Sequence, residues 1–515
     1  MRRLLSVLLF LSYVSLSEAQ SPYVSEVKLQ RGEHWWGLYI DGDGGHSFSD
    51  PFSVTTGSCG RGFFTVPMMV SSNGRYVWSD VPFRVDFDDQ KFTLTSEYEA
   101  IKVQKGGKTL REAYLVCYHN NIRVSGQTPP EELFTRPVYD ISIEEAVAPA
   151  IAQLEGYAVK IIDAGLPAGT FLIPRGWESI SGELDFSRDL YPDPASDMAG
   201  LHDKGFKVML TLTPYIPASG IRYARALEAG ELLLDADGKP VVFSGRGGYY
   251  VCLDFSLPAV TEKFIMSAKL ITERYGVDGF MLDCKEIIPY LTGDTVRLRE
   301  FISNWNGVGD HFDMKIHSSV FYTQGSEVVA GLGDMQRALS WERLATSVCN
   351  SVSAGLSGYA YPYYQTGYID GNTDEALLLR TIQSSLFMPV AVLPPAAWNM
   401  KDARYREEVA KAVKMRADMG EYMTGLVKGS GSTAEPLARH MSYQYPGQGF
   451  FNCADQFMLG TRYLVVPVTD NSGKRTVRLP RGVWISSDGE RFRGPRVMDV
   501  DVSGGKVLVY ELQGR

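Results

Sequence analysis

The segment Gly276-Val277-Asp278-Gly279-Phe280-Met281-Leu282-Asp283-Cys284-Lys285-Glu286 decides how this chain folds. Ahead of it, Val260, Phe264, Ala268, Ile271 and Tyr275 recur at helical spacing behind a Ser256 and Pro258 start signal. Gly276 stops that helix, because a glycine takes the left-handed turn that ends helices. Residues 277–282 then form a short apolar strand that ends at Asp283.

A helix feeding a buried strand is one unit of an α/β fold, and such units recur on both sides. Ser142 with Glu145 makes a capping box that opens a helical stretch, which Gly165 and Pro167 close before an apolar strand at 170–173. Residues 194–204 predict a helix stopped by Gly205, followed by a strand at 206–213. Further strands are expected at 315–323, 358–362 and 389–393. Repeated βα units over roughly 300 residues favour a closed (β/α)8 TIM barrel over an open doubly wound sheet.

The flanks have another rhythm. Phe83, Val85 and Phe87 alternate with Arg84 and Asp86, and Asn73-Gly74 is a hairpin-turn signal. Past a Gly429-Ser430-Gly431-Ser432-Thr433 linker, residues 462–468, 475–479 and 506–512 return to strand patterns. The expected α/β architecture is therefore a barrel over 133–428, with an N-terminal β-sandwich over 20–132 and a small C-terminal β-domain over 429–515.

Arg2 and Arg3, an apolar run over 4–16 and Ser17-Glu18-Ala19 have the pattern of a signal peptide over 1–19. A secreted or periplasmic protein is expected, with a retained anchor as the alternative. A net charge of −9 argues against nucleic-acid partners and anionic membrane surfaces.

Six cysteines without CxxC spacing are no disulfide framework, and Cys59 with Cys117 is the one pair considered. The seven histidines form no HExxH or HxH arrangement, and neither a Walker A loop nor a GxSxG elbow occurs. Asp41-Gly42-Asp43-Gly44-Gly45 lacks the third acidic ligand of a calcium loop and is taken as a surface turn. No cofactor or metal is expected.

Barrel chemistry gathers at the C-terminal ends of the strands. That rule selects Asp283, Lys285 and Glu286, then Arg175, Trp177 and Glu178, then Tyr215. It adds Gln324 and Glu327, with Asp334 and Trp341 in the loop beyond. Carboxylates, aromatic faces and cationic or amide donors at one mouth suit an oligosaccharide or glycoside, whose cleavage needs two carboxyl groups.

With these residues in view, the chain resembles glycoside hydrolase family 31, the retaining α-glycosidases, and in particular the branch that includes the myogenesis-regulating glycosidase and related bacterial enzymes. The resemblance rests on motifs spread along the mature chain. They include residues 74–83 (GRYVWSDVPF), 133–139 (LFTRPVY), 182–186 (GELDF), 205–210 (GFKVML), 276–286, 387–389 (FMP), 455–460 (DQFMLG) and 463–468 (YLVVPV). It implies Asp283 as nucleophile and Asp334, ahead of Ser340-Trp341, as acid/base in a double displacement. Their carboxyl groups are then expected about 5–6 Å apart.

Several positions depart from that family's pattern. Lys285 stands where Asn or Gly is usual, and Ile173-Pro174-Arg175-Gly176-Trp177 replaces an acidic run. Gly331 stands near the place of an arginine, and the Asp334-to-Trp341 spacing is longer than usual. Tyr364-Gln365-Thr366 replaces a His-Asp or Pro-Asp pair. Arg175 and Lys285 are expected either to read an anionic or otherwise modified sugar or to pair with Glu178 and Glu286. The competing expectation from the altered stretch around Asp334 is a catalytically weakened carbohydrate-binding or regulatory protein on the same scaffold.

Overall fold

The computed structural model describes residues 21–514 except 41–46, 58, 61–62, 89, 246, 292–294, 319, 321–323, 326 and 334–336. At its centre is an eight-stranded parallel sheet: β1 (Val138–Asp140), β2 (Thr170–Ile173), β3 (Lys207–Leu212), β4 (Gly279–Leu282), β5 (Met314–His317), β6 (Val329–Gly333), β7 (Tyr361–Gln365) and β8 (Val392–Leu393). The strands neighbour one another in the order β7-β6-β5-β4-β3-β2-β1-β8. Among the described residues no ladder joins β7 to β8, so the ring is nearly closed and has one unladdered seam.

Nearly every barrel-strand residue is buried, as a parallel sheet covered on its outer face and filled on its inner one requires. Helix Pro258–Tyr275 leads into β4 and buries Val260, Phe264, Ala268, Ile271 and Tyr275. It starts on Pro258 and ends on Gly276 at φ +76°, so both boundary signals act as the sequence predicts.

Two other signals fail. Ser142 caps no long helix: the Asp140 carboxylate takes the Ser142 N–H, and only a 3-10 turn, Ile141–Ile143, follows. Pro149 biases Ala148 toward extended backbone, and the helix begins later, at Ile151–Asp163. The glycine-rich stretch 429–433 is no linker but the last turn of helix Gly420–Thr433, where Ser432 and Thr433 hydroxyls bond the Gly429 carbonyl. The strand expected over 315–323 ends at His317, and β6 is an additional strand of the ring.

The N-terminal region packs two antiparallel sheets around Trp35, Leu38, Met69, Val77, Phe83, Val85, Phe87, Phe92 and Leu94. It also holds a helix that a β-only reading omits, Leu110–Asn121, opened by a Thr109/Glu112 capping box. Cys117 lies buried and unpaired on that helix, so the considered Cys59–Cys117 bridge is absent. At the C-terminus a six-stranded antiparallel sheet includes the long hairpin Lys474–Ser486 with Arg491–Asp501. The presumed turn at 41–45 lies outside the described residues, as does the apolar N-terminal run. Among the described residues no helix is long and apolar enough to cross a membrane.

Candidate active site

Strand β4 can lie close against β5 because position 279 is glycine: a Cβ there would run into the Met314 carbonyl. The strand ends at Asp283, whose backbone N–H donates to the Leu212 carbonyl at 2.9 Å. The carboxylate is held on one side. Its Oδ1 accepts the Ser318 hydroxyl at 2.7 Å and the Lys285 backbone N–H at 3.1 Å. Among the described residues no donor reaches Oδ2.

Lys285 turns its ammonium the other way, to the Gly333 carbonyl at 3.0 Å. Gly333 has φ +87°, and a Cβ there would run into the Gln365 carbonyl, so its oxygen takes a direction open only to glycine. Among the described residues Lys285 pairs with no carboxylate; it ties the end of β4 to the end of β6.

Arg175 does pair, and with Glu286. The two meet through paired bonds of 2.7 and 3.0 Å, each side chain largely shielded from solvent. Burial pulls the guanidinium down, but the Glu286 hydrogen bonds and charge, with Asp283 nearby, outweigh it and hold the proton more tightly than usual. Beneath the pair, the Tyr215 hydroxyl accepts the backbone N–H groups of Glu286 and Ile287 at 3.1 and 3.3 Å. Tyr215 is 1% exposed, so it fixes the loop carrying Glu286 and shows no face to a sugar. A small antiparallel sheet of Tyr215–Pro217, Gly248–Cys252 and Val242–Gly245 closes over this corner, with Gly245 against the Glu286 carboxylate.

Not every expected residue reaches the mouth. Trp177 has no exposed surface: its indole N–H donates to the Thr211 carbonyl at 3.0 Å and its ring packs on Phe186. Gln324 is at the opposite end of the barrel. Its amide reaches the Ser357 carbonyl at 3.4 Å and it packs on Gly358, residues that lead into β7. The chain between β5 and β6 has no helix among its described residues and has already returned to the strand entrances by then. Trp341 opens helix Trp341–Leu356 half-buried against Leu339, Leu344 and Leu377. Asp334 lies outside the described residues; its neighbour Gly333 ends β6 at the mouth. Glu178 closes its own loop, accepting the N–H groups of Gly182 and Leu184 at 3.1 and 3.2 Å, and burial raises its carboxyl to about 7.

Two residues at the mouth were missed. Asp140 ends β1, is fully buried, and accepts the Ser142 hydroxyl and N–H, the Gln365 amide at 2.9 Å and the Tyr363 hydroxyl. The strand-end rule would have found it had residues 138–140 been counted as a strand. Ser318 was hidden because a strand drawn to residue 323 puts it mid-strand. Among the described residues no group of three or more His, Cys, Asp or Glu could hold a metal.

A parallel barrel set between two β-sheet domains, with carboxylates and their donors at its C-terminal mouth, is the architecture of barrel glycoside hydrolases. Residues 150–315 match the TIM-barrel domain of glycosyl hydrolase family 31, and residues 434–514 match that family's C-terminal domain. It is 24% identical to the alpha-xylosidase XylQ of Lactiplantibacillus pentosus over 85% of this chain and 60% of that protein. It is also 24% identical to the myogenesis-regulating glycosidase of Mus musculus, over 73% of this chain and 55% of that one. The Flavobacterium johnsoniae GH31 dextranase, solved with glucose, superposes with a TM-score of 0.81 at 17% identity, covering 96% of this chain and 67% of that one. The chain thus spans roughly three-fifths of the length of the curated relatives it matches.

Proposed function

We propose that this chain is an exported retaining α-glycosidase that cleaves O-glycosidic bonds of α-linked sugars by double displacement. The observation that carries the reading is Asp283 at the end of β4, with Oδ1 held by two donors and Oδ2 by none among the described residues. In the first step Oδ2 bonds to the anomeric carbon while the bond to the leaving oxygen breaks and that oxygen takes the proton of Asp334. In the second step Asp334 takes a proton from water, whose oxygen bonds to the same carbon and releases Asp283.

Arg175 gives its charge to Glu286 and the Lys285 ammonium is turned to the Gly333 carbonyl, so both cations expected to read an anionic sugar are already engaged. That supports a neutral sugar, such as an α-glucoside, α-galactoside or α-xyloside, over an anionic one. The basic start and apolar run of residues 1–19 support export.

A panel of aryl α-glycosides, run at mildly acidic and neutral pH beside Asp283→Ala, tests the reading. Cleavage with retained anomeric configuration, abolished in the variant, is the expected result. The altered stretch around Asp334, with its long spacing to Trp341, favours one rival, a carbohydrate-binding or regulatory protein on the same scaffold. Sugar binding without cleavage of any substrate would establish that rival.

A further inference from the structure

We infer that Ser318 is a positioning residue that, together with the Lys285 peptide N–H, clamps one oxygen of Asp283 and so selects the other as the attacking atom. The inference rests on the reading of Asp283 as nucleophile.

An aspartate carboxylate turns about its last torsion in a broad, two-fold well, so geometry alone does not decide which oxygen faces a substrate. Here the two oxygens are unlike. Oδ1 takes two donors, at 2.7 and 3.1 Å, and Oδ2 takes none among the described residues. A hydroxyl on a carboxylate at 2.7 Å is a short, charge-assisted bond, and Ser318 is 1% exposed, so water competes little for it.

The clamp is itself fixed. The Ser318 backbone N–H donates to the Leu282 carbonyl at 3.0 Å, pinning the residue to the strand that carries Asp283. The Lys285 peptide is steadied from β6 through the bond from its ammonium to the Gly333 carbonyl. The ends of β4 and β5 therefore each send a donor to one carboxylate oxygen, and β6 braces the first of them through Lys285. Near-attack placement of a reacting atom is worth large rate factors, and an ångström of misplacement costs about a hundredfold.

The test compares Ser318→Ala with Ser318→Thr, which keeps a hydroxyl. In Ser318→Ala, kcat on an aryl α-glycoside should fall about 10- to 100-fold while KM stays within about twofold. Labelling of Asp283 by an activated 2-deoxy-2-fluoro α-glycoside, followed by peptide mass, should slow in parallel. Ser318→Thr should recover most of the loss. A crystal structure of Ser318→Ala should show the Asp283 carboxylate rotated or in more than one rotamer. An unchanged kcat, or a carboxylate that keeps its rotamer in Ser318→Ala, overturns the inference. A wild type that cleaves no glycoside instead removes the proposed function, and the rotamer comparison still decides the role of Ser318.

Discussion

The guanidinium of Arg175 and the carboxylate of Glu286 meet two on two across the end of β3, the strand that lies between theirs. A shielded pair of this kind is costly to halve and cheap to remove whole. Arg175→Ala should destabilise the protein by roughly 2–4 kcal/mol, and Arg175→Met with Glu286→Leu should recover much of it. Chemical unfolding of Arg175→Met, Glu286→Leu and their double variant gives the cycle. Strictly additive losses would show that the pair has no coupling.

Asp283→Ala should lower the cleavage rate by about 10⁴-fold or more. Small anions test the mechanism further. Azide should restore turnover in that variant and yield a glycosyl azide of inverted configuration, since the anion enters where Asp283 attacked. A retained product would place the nucleophile elsewhere.

Two carboxyls make stability depend on pH in a direction opposite to the usual one. Burial raises both Glu178 and Glu144 from 4.5 to about 7, with backbone N–H bonds only partly opposing it. The folded chain then holds protons that the unfolded chain has released, so their contribution is complete at low pH and is lost as pH rises from 4.5 to about 7. His317 opposes them. Burial lowers it from 6.5 to about 4, so its contribution is lost as pH falls through that window. Glu178→Gln keeps an oxygen for Gly182 and Leu184 and removes one titration. Its melting temperature relative to wild type should climb between pH 4.5 and about 7 and level off above. A constant gap across that range refutes the assignment.

Asp140 is the acceptor for three side-chain donors drawn from two elements. Asp140→Ala strands the Tyr363 hydroxyl and the Gln365 amide in a buried space and should cost on the order of 3 kcal/mol. Asp140→Asn, which keeps one acceptor oxygen, should cost less. Equal melting temperatures for the two variants would remove the acceptor role.

The barrel was legible because its units carry local signals: Pro258 and Gly276 bracket a helix whose apolar face repeats, and the next strand is wholly apolar. Gly429–Thr433 misled because glycine and serine usually mark loops, whereas here the Leu426–Val427 face and the Ser430–Glu435 carbonyl bond hold a final helical turn in place. Position along a strand also placed Asp283 and Arg175 just past the ends of β4 and β2, where the structure has them. It failed for Gln324, because the chain after β5 turns back to the strand entrances, and a return path leaves no periodic trace. Ser318 and Asp140 owe their importance to partners 35 and more than 200 residues away, which no local pattern records.

The seam between β7 and β8 is fastened from β1, by the Asp140 carboxylate reaching Tyr363 and Gln365 past a two-residue strand. Elsewhere the ring is joined by peptide groups, whose spacing no substitution can alter. Here the join is a clasp made of three replaceable side chains. A lineage could therefore resize the opening at this point through single codon changes, without renegotiating a whole strand's register, and would keep the rest of the ring as inherited.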